Sequence, residues 1–279
     1  MISTATILNK RFRTFTFIIY KESCSNFIEC HFMCKHCIRC KIIKKIINDD
    51  IRQVLFMKAR ISRYVIGIIT IWVMLFLYQT SQLPVHMPEM IGIPETRNYQ
   101  WLFIVLVTIT SILFIWLELY TIDDARRYYG NAYIEHQPTR KHTWLMFGVM
   151  FFALIVFLII EPLVKTPMPE NEKMIERSMM GMPILTAYVE VVLAPIIEEL
   201  IFRRLFFVFF FKGMVNPWKR VLGIVVNGLF FASLHTSLLS PGMWVYAVMG
   251  MIFATTYVTT KNVKYSIALH FLNNLISVL

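Results

Sequence analysis

The sequence contains few charged residues: only 16% of its 279 residues are Asp, Glu, Lys or Arg, whereas soluble domains carry about 25%. Hydrophobic residues make up 57% of the chain, and its mean hydropathy is +0.59. Several windows reach the roughly 18–20 apolar residues that a helix needs to cross a bilayer. This composition argues against an ordinary soluble domain and predicts an all-α, polytopic transmembrane helical bundle.

Cysteine is absent after Cys40, and all five cysteines lie between Cys24 and Cys40. The run CHFMCKHCIRC resembles a zinc knuckle, because it contains four cysteines and two histidines close together in the sequence. Structural zinc sites usually bring two separated ligand pairs together, and this run has no second half. We therefore expect no zinc site here. The candidate ligands would be Cys30, Cys34, Cys37, Cys40, His31 and His36.

No signal peptide is evident at the N-terminus, because FTFIIY is too short for its apolar core and no small-residue cleavage site follows. Residues 1–56 are basic and rich in cysteine, and residues 42–56 could form an amphipathic helix at the membrane surface. Met57 opens a short basic head followed by an apolar run. We therefore expect residues 1–56 to be a dispensable extension or no part of the native protein. The remaining chain divides into residues 57–184, with three spans, and a four-span core of residues 185–279.

Seven apolar segments are long enough to be membrane spans, and Pro195 lies inside the fourth, where it is expected to kink the helix. The residues before the first span are basic, as are the loops after the second, fourth and sixth. This alternation predicts a cytoplasmic N-terminus, so the net charge of +11 reflects topology and not nucleic-acid binding. The predicted spans are 61–78, 101–120, 144–163, 185–211, 221–239, 243–260 and 265–279.

The fourth span contains the stretch APIIEELIFRR, although a charge at mid-membrane costs at least ~2.5–3.5 kcal/mol on insertion scales. Glu199 and Arg203 are four residues apart with the acid first, which is the favourable order for a helical ion pair. Glu198 points about 100° away from Glu199 and is free to face another group. The apolar run 205–211 argues against a simple helix end. Arg204 is expected on the inner slope of the helix or in the bundle interior.

Two later spans carry histidines. His235 has Phe231 one turn earlier on its face, and His270 shares a face with Asn274; alone, either would indicate an interface residue or helix–helix bonding. Together with Glu198 they form the inventory of a hydrolase. The carboxylate could act as general base on a water that His235 orients, while His270 and Asn274 stabilise an oxyanion. Span boundaries place His270 nearer the inner side than the other two groups.

Three motifs, EExxxR at Glu198–Arg203, FxxxH at Phe231–His235 and HxxxN at His270–Asn274, resemble those of the CPBP family of intramembrane proteases. This is the CAAX protease and bacteriocin-processing (Abi) family, and the resemblance covers about residues 185–279. It implies a helical bundle around a polar cavity in which the first two motifs activate water and the third binds the oxyanion. The implied catalytic residues are Glu198, His235, His270 and Asn274, and the supporting residues are Glu199, Arg203 and Phe231.

Older descriptions of this family call its members metalloproteases, and the motif residues could in principle ligate zinc. However, the sequence has no HExxH motif on any helix. We therefore expect a glutamate mechanism with no metal and no cofactor.

The sequence thus predicts an intramembrane endopeptidase whose partners are the lipid bilayer and a membrane-anchored or hydrophobic peptide, without nucleic acid. For a bacterial member the resemblance suggests peptide maturation, bacteriocin self-immunity or processing of regulators; for a eukaryotic one, trimming of prenylated CAAX proteins. Short loops favour the bacterial cell membrane. The alternative is a non-catalytic scaffold or self-immunity protein with the same fold. A proton-coupled transporter is disfavoured by the lack of an internal repeat.

Overall fold

Every regular element among the residues that the structure, a computed structural model, describes is helical, as the composition predicts. The chain divides into the units Met1–Ile61 and Ser62–Leu279, and all contacts described below lie within the second. The expected N-terminal extension and its cysteine run lie outside the described residues. The described residues are 61–83, 85, 96–129, 138–163, 168–211, 216–238 and 240–278.

Eight helices follow one another along this part of the chain, and a short 3-10 turn, Glu161–Leu163, extends the third. The helices are α1 (Ile61–Ser81), α2 (Thr96–Tyr129), α3 (Arg140–Ile160), α4 (Glu170–Gly181), α5 (183–210), α6 (Pro217–His235), α7 (Pro241–Thr260) and α8 (Val263–Val278).

Four of these helices are long and apolar enough to cross a membrane: α1, α2, α3 and α7. Only 11–28% of the apolar windows of α1, α2 and α3 is buried, whereas 61% of the α7 window is buried. The first three therefore expose apolar faces suited to lipid, and α7 lies inside the bundle. Helices α5, α6 and α8 coincide with the other predicted spans, so a total of seven stays a prediction.

Helix α4 lies in a segment that the sequence predicts as a loop. Its sequence, ENEKMIERSMMG, is too polar for a span. Met and Ile recur at helical spacing among its charged residues, and this pattern forms a short amphipathic helix. It leads directly into α5 through Met182, whose backbone is not helical (φ −135°, ψ 71°).

Helix α5 is the most buried helix of the fold, and it is interrupted twice by π turns. Its apolar residues surround the axis, which is typical of a helix enclosed on all sides. Pro195 occupies the start of the middle α-helical segment, a position that tolerates a residue without an N–H. A π turn lies just before this proline, and the predicted kink of the helix stays a prediction. The successive segments are Pro183–Tyr188 (α), Val189–Leu193 (π), Ala194–Glu199 (α), Leu200–Leu205 (π) and Phe206–Phe210 (α).

Two glycines allow α6 and α7 to approach closely. A Cβ atom on Gly228 would lie 2.5 Å from Met251 Cγ and 2.8 Å from the carbonyl oxygen of Ala247. A Cβ atom on Gly250 would lie 3.1 Å from Gly228 Cα. This contact holds α6, and with it His235, against α7.

Candidate active site

Glu198 of α5 lies beside two histidines that other helices supply. His235, the last residue of α6, has its Nε2 3.6 Å from Glu198 Oε2. His270 of α8 has its Nε2 3.9 Å from the same oxygen. Glu198 is 9% and His270 3% exposed. The structure therefore brings these three side chains together in a largely buried site. The span boundaries suggested that His270 lies at a different depth, and this suggestion is wrong.

The imidazole of His235 is held on both faces and through one nitrogen. Its ring stacks on Phe231 with centroids 4.1 Å apart and on Tyr246 with centroids 5.1 Å apart. Its Nδ1 lies 2.8 Å from the carbonyl oxygen of Phe231. Because a carbonyl only accepts, Nδ1 carries the hydrogen, and Nε2 of the neutral ring is an acceptor. That acceptor faces Glu198.

Glu199 forms the predicted ion pair with Arg203. Arg203 Nε lies 3.0 Å from Glu199 Oε2, and both side chains are fully buried. The contact lacks hydrogen-bond alignment, but Arg203 also donates through Nη1 to Asn227 Oδ1. On its other oxygen, Glu199 lies 3.2 Å from Nδ1 of His270. Since an ionised carboxylate only accepts, this nitrogen donates, and Glu199 orients the His270 ring.

Asn274 is bonded to the backbone of α5. Its Nδ2 donates to the carbonyl oxygen of Glu190 at 2.8 Å. In an α-helix this carbonyl would accept from residue 194, but the N–H of Ala194 donates to Val189 instead. The next residue, Pro195, has no N–H. The π turn and the proline together leave the Glu190 carbonyl available to Asn274.

The second π turn repeats this arrangement with α6. The N–H of Phe206 donates to the carbonyls of Ile201 and Arg203, so the carbonyl of Phe202 loses its α-helical donor. Asn227 Nδ2 donates to that carbonyl at 2.6 Å. Each helix that carries a site histidine is therefore bonded, through an asparagine, to a carbonyl in a π turn of α5.

Two residues of the site were missed from the sequence. Tyr78, near the end of α1, donates from its hydroxyl to Glu198 Oε1 at 3.2 Å. A tyrosine near a span end usually marks the membrane interface, so nothing in its context singled it out. Asn227 did leave a signal, because it is a polar residue inside the apolar run VVNGLF.

Two further side chains border the pocket. Tyr246, which stacks on His235, donates from its hydroxyl to Glu172 Oε1 of α4 at 3.2 Å. The carboxylate of Glu190 interacts electrostatically with Glu198 and His235. Glu190 was not predicted as a site residue, although an acid within the apolar stretch VEVVL could have indicated it.

Arg204 points to a different place from Arg203. It is half-buried and interacts electrostatically with groups on α2 and α7, namely Glu118, Asp123, Arg126 and Tyr257. Glu118 is fully buried, and neither of its oxygens has a hydrogen-bond partner among the described residues. The sequence predicted Arg204 either on the inner slope of the helix or in the bundle interior. The structure has it facing other helices of the bundle.

Among the residues that the structure describes, no group of three or more His, Cys, Asp or Glu side chains is arranged to hold a metal ion.

Comparison with known proteins shows a likeness to CAAX proteases. Residues 180–276, which contain all three motifs, match the family model described as type II CAAX prenyl endopeptidase Rce1-like. This match supports the CAAX protease family that the three motifs resemble. The chain is also 25% identical over 194 residues to the membrane-embedded CAAX protease MroQ of Staphylococcus aureus (strain USA300), covering 66% of this chain and 74% of that protein. No solved structure matches the chain.

The region that matches the family model corresponds to α5–α8, with the last residues of α4. The family-model match spans about a third of the chain, and the three preceding helices lie outside it. Four helices capable of crossing a bilayer, together with the likeness to a membrane-embedded protease, make the chain an integral membrane protein.

Proposed function

We propose that the protein is an intramembrane endopeptidase that hydrolyses a peptide bond with a water activated by Glu198. The observation that carries this proposal is the pair of acceptors formed by Glu198 Oε2 and His235 Nε2, 3.6 Å apart. Glu198 Oε2 is buried and has no hydrogen-bond partner among the described residues. A single water can donate one hydrogen to each acceptor, which directs an oxygen lone pair away from both.

In the proposed first step, Glu198 takes a proton from this water while the water oxygen attacks the carbonyl carbon of the scissile peptide. A general base must lie within hydrogen-bond reach of the proton that it removes, and a water beside Glu198 and His235, in contact with both, would be within that reach. Burial strengthens these interactions because the local dielectric is low.

The attack gives a tetrahedral intermediate whose oxygen carries the negative charge. His270, held through Nδ1 by Glu199, can donate from Nε2 to this oxyanion when its ring is protonated. Asn274 uses one amide N–H on the Glu190 carbonyl, and the second is available as a further donor. When the intermediate collapses, the C–N bond breaks, and Glu198 returns its proton to the leaving amine.

The substrate that fits this site is a membrane-anchored or hydrophobic peptide. The pocket is enclosed by helices, and the apolar faces of α1, α2 and α3 are suited to lipid. The family description names prenyl endopeptidases, which makes a lipid-anchored peptide one candidate class. We further propose a seven-span arrangement in a bacterial cell membrane with a cytoplasmic N-terminus, supported by the basic character of alternate loops.

The deciding experiment replaces Glu198 with Gln, which keeps the shape of the side chain and removes the base. We expect a loss of cleavage of about 10²–10⁴-fold, measured by mass spectrometry of peptides released in membranes that contain each variant. The matched control is Glu176→Gln on the exposed face of α4, which should leave cleavage unchanged. A folded Glu198→Gln variant with wild-type peptide release would favour the non-catalytic scaffold or self-immunity alternative.

A further inference from the structure

The two oxygens of the Glu198 carboxylate have different surroundings. Oε1 accepts a hydrogen bond from the Tyr78 hydroxyl at 3.2 Å. Oε2 faces His235 and His270 and has no hydrogen-bond partner among the described residues. One oxygen is therefore occupied by a donor from α1, and the other is left for a reacting group.

Tyr78 is itself held in place. Its side chain is 9% exposed, and its ring stacks on Phe114 of α2 with centroids 6.4 Å apart and an interplanar angle of 22°. Its backbone carbonyl accepts from Ser81 Oγ at 2.7 Å and from the N–H of Gln82 at 3.3 Å. The hydroxyl is thus presented to Glu198 from a packed helix end.

A carboxylate needs such a donor if one particular oxygen is to react. The terminal torsion of a glutamate side chain is broad and roughly two-fold, so burial alone does not fix the orientation of its plane. A hydrogen bond to Oε1 favours the orientation in which Oε2 faces the two imidazoles. The same bond stabilises the ionised carboxylate, which is the form that can accept a proton from water.

We propose that Tyr78 is a positioning residue of this active site, because its hydroxyl holds Oε1 of Glu198 and thereby presents Oε2 to the water. This inference rests on the proposed function. It also extends the catalytic unit to α1, since Tyr78 lies outside the residues 180–276 that match the family model.

The test compares Tyr78→Phe, which keeps the ring and its stacking, with Tyr78→Leu, which loses both. We expect Tyr78→Phe to lower kcat by about 10–100-fold, the size expected for one hydrogen bond to a charged group. KM should stay unchanged because Tyr78 contacts Glu198 and not the substrate. The thermal midpoint in detergent should fall less than in Tyr78→Leu, because only the hydrogen bond is lost and the packing of the ring is kept. Tyr78→Leu should lose activity to a similar degree and also unfold at lower temperature.

The matched control is Tyr64→Phe, on the same helix, where the ring stacks on Phe210 and is not one of the site residues described above. It should retain wild-type kcat. If Tyr78→Phe has wild-type kcat while Tyr78→Leu is impaired, the residue only packs, and the proposal is overturned.

The outcomes separate this inference from the proposed function. If Glu198→Gln abolishes cleavage and Tyr78→Phe does not lower kcat, the protease function stands and the positioning role fails. If Glu198→Gln leaves cleavage intact, the proposed function fails, and the role of Tyr78 fails with it.

Discussion

Glu198 and Glu199 are neighbours in the sequence, yet their carboxylates have different partners. Glu199 lies between Arg203 and His270, whereas Glu198 has one oxygen held by Tyr78 and the other left without a donor. The spacing of Glu199 and Arg203 was sufficient to predict their ion pair. It also indicated that the other acid faces a different group. The identity of its partner on α1 could not be predicted, because that contact joins residues 120 positions apart.

Arg203 is the residue on which the buried charges of the site depend most. Replacing Arg203 with Met leaves Glu199 with only His270 as a partner and Asn227 without its donor. We expect a loss of about 3–5 kcal/mol in the free energy of unfolding, which is typical when one member of a buried pair is removed. Thermal unfolding in detergent measures this loss. The control is Arg177→Met on α4, where the arginine is exposed and the change should be within about 0.5 kcal/mol.

A second variant tests whether the unpaired charge of Glu199 causes the loss of stability in Arg203→Met. Adding Glu199→Gln to Arg203→Met removes the uncompensated carboxylate, so part of the lost stability should return. If the double variant is no more stable than Arg203→Met alone, the loss comes from packing and the electrostatic explanation is wrong.

At the scale of helices, the two π turns of α5 determine where the neighbouring helices bond. From the sequence, Pro195 predicted a kink in α5 but not the π turns. The donors that fill the vacated carbonyls, Asn227 and Asn274, are on other helices, and a single sequence does not show which hydrogen bonds a π turn omits. Asn274 was predicted as an oxyanion donor, and that role stays a prediction. Its bond to the Glu190 carbonyl was not foreseen.

This explanation of Asn274 predicts a coupling with Pro195. In a Pro195→Ala background, residue 195 regains an N–H. In a π turn the N–H of a residue donates to the carbonyl five positions earlier, so this N–H can donate to the Glu190 carbonyl. Asn274→Ala should therefore cost less stability in that background than in the wild type, by about 0.5–1.5 kcal/mol. A double-mutant cycle on thermal stability measures the difference. In the control cycle with Pro183→Ala, at the start of α5, the two changes should be additive.

The close contact of α6 and α7 gives a second prediction about helices. Gly228→Ala places a Cβ atom against the backbone of α7, so the helices must separate, at a cost of about 1–3 kcal/mol typical of overpacking. Activity should fall as well, because α6 carries His235. Gly148→Ala on α3 is the control, since its Cβ would meet nothing within 4 Å. It should stabilise the protein by roughly 0.5–1 kcal/mol. Equal stability losses in both variants would contradict the packing argument.

Over the whole molecule, the helical class and the membrane character could be predicted from composition alone, because few charges and long apolar runs permit little else. The amphipathic helix α4 was not predicted, because it is too short and too polar to resemble a membrane span. The C-terminal core was recognised by three motifs, yet Tyr78 reaches the same pocket from α1. Hydrophobic length predicts that a helix exists, and the side chains that it contributes to a site depend on tertiary packing.

Whether the exposed face of α2 contacts lipid can be tested with lysine substitutions at two different depths in the membrane. Leu113 and Tyr128 both belong to α2 and are both exposed, at 62% and 81%. Lysine at position 113, in the middle of the apolar window, should impair insertion, since a mid-membrane charge costs at least ~2.5–3.5 kcal/mol. Lysine at position 128, beside Arg126 and Arg127, should have little effect. Resistance to alkaline extraction from membranes measures insertion. Equal resistance of the two variants would mean that this face of α2 does not contact lipid.

The π turns of α5 also make this helix sensitive to its length. Each holds one residue more than the α-helical turn that would replace it, so each is a one-residue insertion. Deleting any single residue between Val189 and Leu193 would remove this π turn and rotate the first half of α5 by about 100° relative to Glu198. The carbonyl that Asn274 reaches would then turn away from α8. Most helices tolerate substitution better than deletion, and here one missing codon would break the hydrogen bond that joins α8 to the first half of α5.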